Sequence, residues 1–192
     1  MRRIMALAIV AGCLLAGPAQ AQDTKEEKAK PYRFTAFAIN MNSGPRAGAV
    51  DITIERLTTA EERDGLIAAF VEGGQNSLLK ALQKVRPRVG FIRTPNSIGY
   101  DLQYAWRIVN SDGTSRVIIG TDRPINFWEA SRQPRTIDYP FTIIEMRLDA
   151  NGNGEGRMAA GTKISRSKDG KTIELENYGI SPVALNQIKL QK

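Results

Sequence analysis

The sequence predicts a mainly β domain with an inserted helix pair, an α+β chain built on an antiparallel meander of about eight or nine strands, closed or nearly closed as a barrel or sandwich. Three observations predict it. Apolar residues recur at a period of two through most of the chain after Tyr32. Gly, Asn, Asp and Pro punctuate these runs at short intervals. One stretch, between Thr59 and Pro87, switches to helical spacing.

The first 21 residues stand apart from this pattern. Met1-Arg2-Arg3, the apolar run Ile4 to Ala16 and the exit Gly17-Pro18-Ala19-Gln20-Ala21 combine a positive start, an apolar segment too short to span a bilayer and an Ala-x-Ala site. A secretory signal cleaved after Ala21 is expected, leaving Gln22 at the head of an exported protein, periplasmic or secreted. Val10-Ala11-Gly12-Cys13 offers a competing lipobox reading in which Cys13 is acylated. The short apolar run before Cys13, and the apolar Leu14, Leu15 and Ala16 after it, count against that route. Residues 22–31 carry six charges and no large apolar side chain, so burial cannot offset their ordering entropy and a flexible charged leader is expected. A single β-rich domain then covers 32–192.

Within it, Tyr32, Phe34, Ala36 and Ala38 alternate with Arg33 and Thr35, and Val50, Ile52 and Ile54 alternate with Asp51, Thr53 and Glu55. Asn42 to Pro45 supplies the turn of this opening hairpin. Thr59 and Glu62 have the spacing of a capping box, each able to bond the other's backbone N–H. Leu66, Ile67, Phe70 and Val71 follow at helical spacing, Gly73-Gly74 interrupts, and Leu78, Leu79, Leu82 and Val85 continue to Pro87. Helices near 59–72 and 76–86 are expected to cover a face or an open end of the sheet. Val89 to Arg93 is a short strand. Tyr100, Leu102, Tyr104, Trp106 and Ile108 make the strongest alternation, placed on one face opposite Asp101, Gln103 and Arg107. Ser111-Asp112-Gly113 turns this strand into Arg116 to Thr121. Asp122 to Pro140, with three prolines, reads as a long irregular loop of the kind that often carries function. Phe141 to Asp149, Arg157 to Ser165, Lys171 to Asn177 and Val183 to Leu190 complete the strands. The arrangement resembles calycin-like exported β domains in architecture alone; none of their motifs is present, and no function is carried over.

Composition restricts the chemistry. The chain has no histidine, and its one cysteine, Cys13, lies in the segment expected to be removed. A Ser-His-Asp triad, a Cys-His pair and an ordinary zinc site are thereby excluded from the mature domain. Taking Arg2 and Arg3 from the 27 basic residues leaves 25 against 20 acidic ones, a net charge of +5. That balance favours weak association with an anionic envelope surface. Nucleic acid is not the expected partner, because Lys84, Arg86, Arg88, Lys163, Arg166, Lys168 and Lys171 sit at strand ends and turns without aromatics on which bases could stack.

The candidate ligand-binding residues are Tyr100, Tyr104 and Trp106 of the aromatic strand, with Phe127, Trp128 and Glu129 of the Pro-bounded loop, since Tyr and Trp combine large apolar area with a polar tip. Packing in a core is the competing role for the same residues. Asp149 to Gly154 matches the first half of a calcium loop, but Arg157 and Ala160 stand at its ninth and twelfth positions, and a hairpin turn is the better reading. Gly73 to Ser77 lacks phosphate-loop spacing and reads as helix caps. Asp101, Glu129, Asp138 and Glu145 are the carboxylates that a glycoside hydrolase would need to pair. No catalytic residue, metal ligand or cofactor is assigned. The expected function is non-enzymatic binding of a small-molecule or envelope-polymer ligand. The alternatives are a carboxylate-based hydrolase of envelope polysaccharide and a structural or protein-interaction module.

Overall fold

The computed structural model describes residues 30–41, 46–125, 138–167, 173–177 and 181–191. The expected signal segment, most of the leader, and the loop residues Phe127, Trp128 and Glu129 lie outside the described residues.

Among the described residues the fold is mostly β, ten antiparallel strands forming a nearly closed barrel with one broken helix. Strands β1 (Tyr32–Asn40) and β2 (Arg46–Ile54) make the opening hairpin, in register from Tyr32 opposite Ile54 to Asn40 opposite Arg46. Helix α1 (Ala60–Gln83) follows, then β3 (Gly90–Arg93), β4 (Tyr100–Leu102), β5 (Tyr104–Val109), β6 (Ser115–Gly120), β7 (Phe141–Leu148), β8 (Gly154–Arg166), β9 (Ile173–Asn177) and β10 (Val183–Gln191). The sheet order is β4-β3-β2-β1-β10-β8-β7-β6-β5, with β9 added along the far half of β8.

The two ends of that order, β4 and β5, are separated in sequence by Gln103 alone. One bent stretch therefore belongs to both edges of the sheet, and the edges nearly meet. Gln103 N donates to Gly120 O at 3.1 Å on one side, and Val89 N donates to Leu102 O at 2.9 Å on the other. Thr58 seals the seam, its N–H donating to Ala105 O at 2.8 Å and its hydroxyl accepting from Ala105 N at 2.9 Å. Closure leaves fewer unpaired strand edges open to aggregation.

The bend corrects the expected alternation of the aromatic strand. Leu102 is fully buried and Tyr100 packs against the same core, but the next inward residues are Gln103 and Ala105, so the parity changes by one. Tyr104 and Trp106 consequently face outward while Tyr100 faces the core. Because side chains alternate strictly along a strand, a single irregular residue moves everything after it to the other face. The same break makes ten strands of the nine runs visible in the sequence.

Ile52, Leu102, Ile119, Ile144, Met146 and Leu185 belong to one contiguous inward-facing cluster and have no exposed surface. Each such side chain contributes about 1.5–3 kcal/mol of burial free energy. Gly154 permits β7 and β8 to approach closely, since a Cβ there would overlap the Arg147 carbonyl. Among the described residues, the barrel interior holds this one contiguous apolar core.

Candidate functional site

The site is assembled by α1 folding onto the outer wall of the barrel. Thr59 caps the helix as its sequence predicts: Glu62 N donates to Thr59 Oγ1 at 3.1 Å, and Thr59 N donates to Glu62 Oε2 at 3.0 Å. The expected pair of helices is a continuous segment broken at one residue, Gly74, with φ 64° and ψ −157°. That conformation is essentially restricted to glycine.

Arg56 shows how sharply the two arms fold back. Its guanidinium donates to Glu62 at 2.8 and 3.0 Å, in the first turn of α1, and to Pro87 O at 2.7 Å, beyond the helix end. An unbroken helix of this length would hold those points roughly 36 Å apart. Leu66 on the first arm and Leu82 on the second accordingly share one buried cluster with Phe141 of β7. Gln75, beside the break, pins the fold-back to the barrel, its Oε1 accepting from Ile164 N at 2.9 Å and its Nε2 donating to Asp138 O at 3.0 Å.

Between the arms, the outer wall and the β8–β9 flap runs an apolar groove of about 520 Å³. Phe141, Ile164 and Leu82 line its depth, with Tyr104 and Ile118 on the barrel wall. Its rim exposes Ile67 (43%) and Val71 (51%) from the helix, and Ile173 (58%) and Leu175 (58%) from β9. The flap pairs Ile173 with Arg166 and Leu175 with Ile164, which puts all four side chains on the groove face. Among the described residues, the charged side chains of this lining are Arg63 and Arg166, with no carboxylate.

Arg63 stands at the Tyr104 end, with its guanidinium carbon 5.1 Å from the centre of the Trp106 ring, in cation–π contact. Burial pushes the Tyr104 hydroxyl above the ordinary phenol range, against the opposing charge and hydrogen bond of Arg63. Tyr104 is thus held neutral beside a cation.

Among the described residues, Tyr104 is the one aromatic named from the sequence that lines the groove; Trp106 adjoins it beneath Arg63, and Tyr100 packs against the barrel core. Sequence reasoning missed Arg63, Ile67, Val71, Ile173 and Leu175. A signal was present in Leu66, Ile67, Phe70 and Val71, two adjacent apolar rows where a single contact face needs one.

A wider concavity of about 1150 Å³ lies over the outer face of β7, β8 and β10 and is walled by charges of both signs. Register places Glu145 opposite Arg157, and Arg147 opposite Glu155. Burial tends to raise the Glu145 pKa, but hydrogen bonds and charge from Arg147 and Arg116 outweigh it and hold the carboxyl below its usual range. Asp101, on β4, is bonded by Arg88 at 2.6 Å. Asp149 uses Oδ1 to accept from Asn151 N at 2.8 Å and Asn153 N at 2.9 Å, closing the hairpin turn that its sequence also allowed as half a calcium loop. A hydrolytic general acid needs its pKa raised. The described carboxylates with shifted values, Glu62, Asp112 and Glu145, are all lowered.

No helix among the described residues is long and apolar enough to cross a membrane. No protein-family model, curated protein or solved structure matches the chain.

Proposed function

We propose that this is an exported, non-enzymatic β domain that binds a small apolar ligand in the groove between α1 and the outer barrel wall. The observation that carries the reading is the groove rim, where four large aliphatic side chains from two separate elements face one concavity while remaining 43–58% exposed. Exposed apolar surface of this kind is costly unless something covers it. The volume falls in the roughly 300–1,000 Å³ range of small-molecule sites. Binding without chemistry is supported by a lining that holds no carboxylate among the described residues and by a chain without histidine. Export is supported by the charge and hydropathy pattern of residues 1–21. The net positive charge adds a weak attraction to anionic envelope surfaces.

The test is native mass spectrometry of protein purified gently from cells that make it, alongside the double substitution Ile67→Asp, Leu175→Asp. Both positions are on the rim and already solvated, so the variant keeps its fold and its circular dichroism. Co-purified small-molecule mass on the native chain, absent from the variant, is the expected result. A bare chain that also fails to take up the neutral dye Nile red refutes the reading. A groove occupied by a second copy of the chain, seen as a dimer mass that the variant abolishes, converts it to the interaction-module alternative.

A further inference from the structure

We propose that the groove is built for a single-chain amphiphile with an anionic head, and that Arg63 and Tyr104 hold the head while the aliphatic walls take the tail. This inference rests on the groove being a ligand site and adds the chemical class of ligand.

Charge complementarity points to that class. The described lining is aliphatic and aromatic over nearly its whole extent and includes two cations and no anion. Such a surface repels a cationic ligand and attracts an anionic one. Arg63 is also placed as a head-group residue should be. Its side chain is 42% exposed, so a head there stays in contact with water while the tail descends toward Leu82, Phe141 and Ile164. Its guanidinium is oriented by the Trp106 ring at 5.1 Å, which limits the rotamer entropy lost on binding. Its contact with Asp64, 3.5 Å through one N–H, is long and exposed and leaves most of the five donors available. Tyr104, beside it in the lining, adds a neutral hydroxyl that can donate to a carboxylate.

The geometry fits a monomeric amphiphile better than a bilayer surface. The aliphatic residues line a concavity enclosed by the helix arms, the wall and the flap, which suits one tail. A membrane-surface site would instead present a convex apolar face with a ring of basic residues around it.

The experiment compares dodecanoate, dodecanol and dodecyltrimethylammonium, each below its micelle concentration, by isothermal titration on the full chain and on Arg63→Gln and Arg166→Gln. Dodecanoate is expected to bind roughly tenfold more tightly than dodecanol, the scale of one charge-assisted hydrogen-bond pair at a partly exposed site. Arg63→Gln should erase that preference without changing dodecanol affinity, which also shows that the variant is folded. Equal affinity for dodecanoate and dodecanol overturns the head-group assignment and leaves the apolar groove standing. Loss of the preference in Arg166→Gln instead of Arg63→Gln overturns it by moving the head to the flap. No binding of any of the three overturns both readings. Capture by phosphatidylglycerol vesicles without affinity for dodecanoate overturns it in favour of a membrane-facing surface.

Discussion

Alanine at Gly65 and alanine at Gly74 should move stability in opposite directions, although the two substitutions are chemically identical and lie in the same helix. At Gly65 the backbone is helical and a new Cβ would meet nothing within 4 Å. Removing a glycine from a helix interior there gains about 0.5–1 kcal/mol. At Gly74 a new Cβ also meets nothing within 4 Å, so any cost must come from the backbone itself, at φ 64° and ψ −157°. Holding an L-residue in that region costs of order 1–3 kcal/mol, offset by about 0.4–1 kcal/mol from the stiffer unfolded chain, for a net loss of about 1–2 kcal/mol. At roughly 2–4 °C per kcal/mol for a chain of this length, Gly65→Ala should raise Tm by about 1–4 °C and Gly74→Ala lower it by about 2–8 °C. Urea titrations with unchanged slopes would confirm that the native state is what shifts. Gly74→Ala should also weaken ligand binding, because the break is what folds Leu66 and Leu82 around Phe141. If both variants gain stability, the break at Gly74 is not a conformational requirement, and the folded-back geometry of the groove is wrong.

Adjacent residues on β6 separate fold from site: Ile119→Ala, in the barrel core with no exposed surface, should cost about 2–5 kcal/mol in urea unfolding, whereas Ile118→Ser, on the groove wall, should cost much less and chiefly weaken ligand uptake. Hydrogen bonds from Arg56 hold the Glu62 carboxyl below its ordinary range, so the folded state takes up that proton at lower pH than the unfolded state does. This contribution is complete above the ordinary carboxylate pKa and is lost as pH falls through the lowered folded value. Glu62→Gln should therefore flatten part of the acid limb of the stability profile and cost up to about 1 kcal/mol near neutrality through the lost ion pair with Arg56, while its amide oxygen still closes the capping box. Tyr104 should ionise later than an ordinary phenol in an ultraviolet titration, and Tyr104→Phe should remove that late component.

Much of the barrel was legible because strand formation depends on a local pattern. Ile52 and Ile54 alternate with Asp51 and Thr53 in sequence, and in the fold the isoleucines are buried and Asp51 and Thr53 half-exposed. The capping box at Thr59 and Glu62 was legible for the same reason, since a span of four residues holds the whole interaction. The bend at Gln103 was not. Nothing in Leu102-Gln103-Tyr104 departs from alternation, and the parity change exists because one stretch must pair with β3 on one side of Gln103 and with β6 on the other. Gln103 can occupy the interior because its Oε1 accepts from Asp122 N at 3.2 Å, a partner 19 residues away.

The candidate site divides along the same line. Sequence by itself determined that the domain is antiparallel β with one helical insertion, that its helix starts at a capped Thr59 and breaks at the glycines, and that histidine-dependent chemistry is closed to it. These are properties of neighbouring residues or of composition. Only the tertiary structure decided which apolar residues share one inward-facing core, that Tyr104 and Trp106 look outward under Arg63 while Tyr100 looks in, and that Ile67 and Val71 meet Ile173 and Leu175 across a groove. The groove walls are about a hundred residues apart in the chain, and a surface formed by closure of a sheet has no local signature in the segments it joins.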